Sequence, residues 1–150
     1  MVKSQYMLYL KSLPIFQGLD NQVLKKIVAA STLIEVQTPE QMKEILTEEE
    51  LFIVLTGELA LYYENPKHPT IKIQSVNIGE SLSTLESATE TLVIKPGKGT
   101  VLMKVPLLFI EHLLMQNIKF KQNVIKGMNE KLLSSFDKLI TLIGRDSHNV

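Results

Sequence analysis

The sequence predicts a mainly β fold with flanking helices: an antiparallel β-roll over about residues 33–106, N-terminal helices before it and a long C-terminal helix after it. Three observations lead there. Leu51 to Tyr63 is a near-continuous apolar run broken once, at Thr56-Gly57-Glu58, as two strands joined by a tight turn would be. Further short strand patterns follow with turn residues between them, the spacing of a roll or jelly roll. Beyond Pro106 the apolar period changes to that of helices.

Leu13 to Leu19 reads as a short apolar connector, and Asp20 stands at the N-cap of a helix that gathers Val23, Leu24, Ile27 and Val28 on one face. Leu33 to Val36 is strand-like, and Pro39 stops a helix from running through it. Pro39 to Glu50 fits either a strand with an acidic turn or a short helix, and Glu48-Glu49-Glu50 reads as an exposed acidic turn. Gly57 marks a turn or a positive-φ position. Thr70 to Val76 alternates as a half-exposed strand does. Leu92-Val93-Ile94 and Val101 to Val105 flank Lys95 to Gly99, a hairpin with a five-residue loop. Pro106 suits the first turn of the helix Leu107–Met115. The last helix is expected from about Ile118 to Ile143, with Gly144 as the residue that ends it.

One domain over residues 1–150 is the expectation, because a chain this long can bury enough surface for an unstapled core. Sixteen basic and 16 acidic residues leave no net field to draw nucleic acid or an anionic membrane. There is no cysteine, which removes disulfides, thiolate metal sites and cysteine nucleophiles. The first dozen residues lack a secretory pattern and no apolar run is long enough for a membrane span, so a cytoplasmic protein is the default expectation, although a soluble domain cut from a larger membrane protein would look the same. His68, His112 and His148 fall in a loop, a helix and the tail, too dispersed to share a metal, and read as solvated residues. Ser134-Ser135 and Asp137 show no triad logic. Lys95-Pro96-Gly97-Lys98-Gly99-Thr100 joins two strands, whereas a phosphate-binding Walker loop opens a helix. No enzyme and no cofactor are expected.

Three strings carry a family resemblance: Ile15-Phe16-Gln17-Gly18-Leu19, Leu51-Phe52-Ile53-Val54-Leu55-Thr56-Gly57-Glu58, and Gly79-Glu80. In that order, between a helix and a long final helix, they resemble the cyclic-nucleotide-binding domain of bacterial regulators, kinase regulatory subunits and ion channels. The resemblance covers roughly Leu10 to Leu139 and implies a β-roll with a phosphate-binding cassette after Gly79-Glu80. In that family a Phe-Gly-Glu-Leu segment opens the cassette, and its glycine and backbone N–H groups approach the phosphate at a helix N-terminus. Its glutamate binds the ribose, and an arginine pairs with the phosphate.

Here the matching positions are Leu82-Ser83-Thr84-Leu85, serine for the glycine and threonine for the glutamate, and Glu90-Thr91 stands where the arginine belongs. A slip of register would make Gly79-Glu80-Ser81-Leu82 the Gly-Glu-x-Leu element. In either register no arginine is within reach, since the only one in the chain is Arg145. Lys95 and Lys98 are the nearby cations, and they read as solvated loop residues. The family's early glycine turns are replaced here by Glu40-Gln41 and Glu48-Glu49-Glu50.

Ile118, Ile125, Leu132 and Leu139 recur every seven residues on the final helix. One reading folds that helix back on its own roll. The other, preferred, pairs it with its twin across a two-fold axis, as the resemblance to the transcription regulators implies, with Lys121, Lys126, Glu130 and Lys131 beside the seam. Those regulators place a helix-turn-helix domain after this helix, and only Arg145 to Val150 follow here, so no DNA-binding domain is expected. The function expected is a non-catalytic regulatory or interaction module, a homodimer with some further protein partner, that has lost its cyclic nucleotide. The alternative is a true small-molecule receptor with a modified pocket.

Overall fold

The computed structural model describes residues 2–46, 49–83 and 92–148, without side chains at 2–5, 132, 134–136, 138–139 and 142–148. The chain opens with α1 (Val2–Ser12), a 3-10 turn (Pro14–Phe16) and α2 (Asn21–Ala30), where the Asp20 carboxylate accepts the Val23 N–H at 3.0 Å. Strand β1 (Thr32–Val36) leads into α3 (Pro39–Ile45). The open choice at Pro39 thus falls to a helix. Thr38 and Gln41 form a reciprocal capping box and Pro39 occupies the first turn, where its missing N–H costs nothing.

The strands β2 (Glu50–Thr56), β3 (Leu59–Asn65), β4 (His68–Val76), β5 (Ser81–Ser83), β6 (Leu92–Pro96) and β7 (Thr100–Pro106) follow, then α4 (Leu107–Gln116) and α5 (Ile118–His148). They make two antiparallel sheets, ordered β1-β7-β2-β5 and β4-β3-β6.

Strand alternation divides the core in two. From β2 and β7, Ile53, Leu55, Met103 and Val105 face a cluster with Leu10, Leu13, Phe16, Leu24, Ile27, Ile110 and Phe120 of the helical segments. Their neighbours Phe52, Val54 and Leu102 face inward with Leu59, Leu61, Val76, Leu82, Ile94 and Met42. A strand buried on both faces needs apolar residues at successive positions, which is why Leu51 to Leu55 shows no alternation.

Two of the corners where the chain changes sheets, β2 to β3 and β6 to β7, meet at one end of the roll. Thr100 is fully buried there. Its hydroxyl accepts the Glu58 N–H at 3.2 Å and lies 2.7 Å from the Gly97 carbonyl and 3.0 Å from that of Glu58, to one of which it donates. Thr56 donates to the Gly99 carbonyl at 2.8 Å. Gly57 has φ +78°, and a Cβ on it would fall 2.6 Å from the Thr100 Cα. Glycine is required on both counts.

Five expectations need correction. The β6–β7 loop has three residues, Gly97 to Gly99, because Lys95 and Pro96 still pair with β3. Pro106 ends β7 and serves as the N-cap of α4, and α5 continues through Gly144 to His148. A glycine lowers helix stability without being obliged to end the helix. His68 begins β4 and does not lie in a loop. Glu50 is not in an exposed turn: it is 6% exposed, at the start of β2, on the inward face with Phe52 and Val54.

Candidate functional site

The turn from β4 to β5 carries the first cassette residues. Gly79 has φ +83° and donates to the Val54 carbonyl at 2.8 Å, while Val54 N–H donates to Glu80 at 3.0 Å. A Cβ on Gly79 would lie 3.3 Å from Pro14 Cδ, so the N-terminal connector leans on this turn. The Glu80 side chain is occupied locally. One carboxylate oxygen accepts the Asn77 N–H at 2.7 Å, and the other lies 3.9 Å from Lys131 Nζ on α5.

Strand β5 then places Leu82 opposite Phe52 and Ser83 opposite Leu51. Leu82 is 2% exposed inside the roll, and Ser83 is half-buried. The structure therefore brings Gly79, Glu80, Leu82 and Ser83 to one edge of the first sheet. The other four cassette positions, Thr84, Leu85, Glu90 and Thr91, lie outside the described residues.

Neither nearby lysine faces the roll interior beside Leu82. Ile94 points inward, so Lys95 points out, where its ammonium lies 4.8 Å from the centroid of the Tyr62 ring and 3.6 Å from Glu64. Lys98 lines an open depression of about 400 Å³ with Gly57, Glu58, Asn77, Ile78 and Gly97. That depression is at the strand-corner end, beside the Asn77–Glu80 turn, whereas Ser83 at the end of β5 lies opposite Leu51, five residues away along β2 or about 16 Å at ~3.3 Å per residue.

A charged pair was missed by sequence reasoning. The Lys104 ammonium lies 3.4 Å from the Glu50 carboxylate, on the inward face of β2 and β7, where Lys104 is directly opposite Phe52. The signal that would have found it is register: Glu50 shares its side of β2 with Phe52 and Val54, and in a strand buried on both faces either side is inward. Among the described residues no group of three or more histidine or acidic side chains could hold a metal. No described helix is long and apolar enough to cross a membrane.

The final helix turns Phe120 fully inward against the N-terminal segments, and Asn123 donates to the carbonyls of Ile15 and Gln17 at 3.1 and 2.8 Å. Another stripe is uncovered. Ile118, Ile125 and Met128 are exposed, so the reading in which the helix buries Ile125 on its own roll fails. Leu132 and Leu139 belong to α5, and their side chains lie outside the described residues. Lys131, expected beside the seam, reaches Glu80 instead.

No protein-family profile and no curated relative matches the sequence. Solved structures match its fold. The sensor domain of the transcriptional regulator DNR from Pseudomonas aeruginosa is 12% identical with a TM-score of 0.63, over 91% of this chain and 94% of that one. The Thermus thermophilus catabolite activator protein is 13% identical with a TM-score of 0.61, over 86% of this chain and 62% of that one, so the chain spans less than two thirds of the activator. The regulatory domain of Toxoplasma gondii PKA, solved with cAMP, is 16% identical with a TM-score of 0.57, over 85% of this chain and 50% of that one. Identity at this level speaks to architecture and leaves the ligand open. Antiparallel sheets flanked by N-terminal helices and closed by a C-terminal helix, shared with these structures, give the chain the fold of the cyclic-nucleotide-binding domain.

Proposed function

We propose that this chain is a non-catalytic, cytoplasmic regulatory or interaction module that has kept the cyclic-nucleotide-binding fold and lost the nucleotide. The observation that carries the reading is the fate of the first cassette residues. Leu82 is part of the roll's own core, and Glu80 is engaged by Asn77 and Lys131. The chain's single arginine is Arg145, near the end of α5. Recognition of a cyclic phosphate rests on charge-assisted contacts, and losing one such contact removes about 1.5–3 kcal/mol, roughly ten- to hundredfold in affinity. Calorimetric titration with cyclic AMP and cyclic GMP is expected to give no saturable heat at low micromolar protein. Saturable binding there would favour the alternative, a small-molecule receptor with a rebuilt phosphate contact.

The same module is a homodimer through α5 in this reading, with Ile118, Ile125, Leu132 and Leu139 along one seam. The support is the exposure of Ile118, Ile125 and Met128 on a helix whose other face is anchored to its own N-terminal segment. Sedimentation of the wild type at micromolar concentration should give a dimer. Leu132→Asp sets a charge against its symmetry mate in a dry seam and should give a folded monomer by circular dichroism. A monomeric wild type sinks the dimer.

A further inference from the structure

We infer that α3 is an internal plug: it fills the roll interior with the chain's own side chains, and Met42 is the residue that keeps a ligand out. This deepens the proposed loss of the nucleotide and rests on that reading. Helix α3 begins where β1 ends, and its start is pinned by bonds from the Gln37 and Thr38 N–H groups to the Gln41 side chain at 2.6 and 3.1 Å. It is amphipathic. Glu40 and Lys43 face solvent, while Met42, Ile45 and Leu46, spaced three and four apart, face the roll.

Met42 is 1% exposed and shares one cluster with Phe52, Val54, Leu82 and Leu102 of one sheet and Leu61, Val76 and Ile94 of the other. Its side chain therefore lies among residues of both sheets, and the helix packs beside β6, an edge strand. Sheet edges left bare are open to other chains or ligands, and here one is covered from within.

The chemistry of the surrounding wall defines what an unplugged interior would accept. Apart from Thr100 at the corner end and the Glu50–Lys104 pair toward the other, the buried side chains described around Met42 are apolar. They suit a small planar apolar molecule, and the inward cation beside them, Lys104, is already paired with Glu50. Indole is the probe. Wild type, the Met42→Ala/Ile45→Ala double variant and a volume-conserving Met42→Leu control are titrated with indole, and wild type also with cyclic AMP.

The expected result is saturable indole binding by the double variant alone. Its melting temperature should rise by roughly 3–6 °C at ten times the dissociation constant. If that variant does not fold, Leu46→Ala, at the half-buried end of the same face, takes its place in the comparison. Equal indole binding by wild type, or none by a folded truncated variant, overturns the plug. Cyclic AMP binding by wild type instead overturns the loss of the nucleotide, a separate arm of the experiment.

Discussion

Replacing Gly57 with alanine places a methyl group against the buried corner where the two sheets exchange strands. The added Cβ would be 2.4 Å from the Thr100 hydroxyl oxygen and 2.6 Å from its Cα, so backbone must move and no side-chain rotation relieves it. Holding alanine at φ +78° costs about 1–2 kcal/mol. Displacing Thr100 weakens the bonds its hydroxyl makes with Glu58 N–H and a corner carbonyl, each worth about 0.5–1.5 kcal/mol. The sum is about 2–5 kcal/mol. For a chain of this length that corresponds to a fall in melting temperature of roughly 4–20 °C. Gly99→Ala supplies the control. It has φ +71° but nothing within 4 Å of the new methyl, so only the conformational cost of about 1–2 kcal/mol applies. Thermal and urea melts followed by circular dichroism should rank wild type above Gly99→Ala and Gly99→Ala above Gly57→Ala. Equal losses in the two variants would refute the argument from close approach.

Phe52→Ala and Leu55→Ala remove side chains buried on opposite faces of β2, and each should destabilise by about 2–5 kcal/mol in urea melts; wild-type midpoints for both would contradict the two-cluster core. Gly127→Ala should act in the other direction, raising stability by about 0.5–1 kcal/mol, since the position is helical and its methyl meets nothing within 4 Å. A loss there would mean that another segment or chain approaches that face.

What was legible in the sequence follows from how each element declares itself. Strands β2 and β3 stood out because the Leu51–Tyr63 run has one interruption, and the interruption is a glycine that the fold requires. Asp20 declared α2 because a cap is a local device. Helix α3 stayed ambiguous, since Pro39 stops a helix arriving and equally starts one leaving, and only the Thr38–Gln41 box decides between them. Glu50 was misread for a different reason. Its run of three glutamates looks solvated as composition, and burial of the last depends on Lys104, more than fifty residues away in the chain. Helix α1 contributes Leu10 to the core, yet Tyr6 to Leu10 is an unbroken apolar run with no helical period to declare it. In the cassette, the substitutions of serine and threonine were readable, while the inward burial of Leu82 required the pairing of β5 with β2.

Strand β2 also carries a hazard in time. It is the most apolar segment of the chain, and its neighbour β7 is made late: 43 residues separate Thr56 from Gly99, its hydrogen-bond partner at the corner. At ~5–20 residues per second on a ribosome, that interval leaves Leu51 to Leu55 without its β7 partner for roughly 2–9 s. An unpaired apolar strand is a template for other chains during such a wait. Glu48-Glu49-Glu50 immediately precedes it in the sequence. Charges beside an apolar strand oppose intermolecular pairing, so these glutamates, with Glu50 still unpaired until Lys104 is made, would disfavour association of the nascent strand.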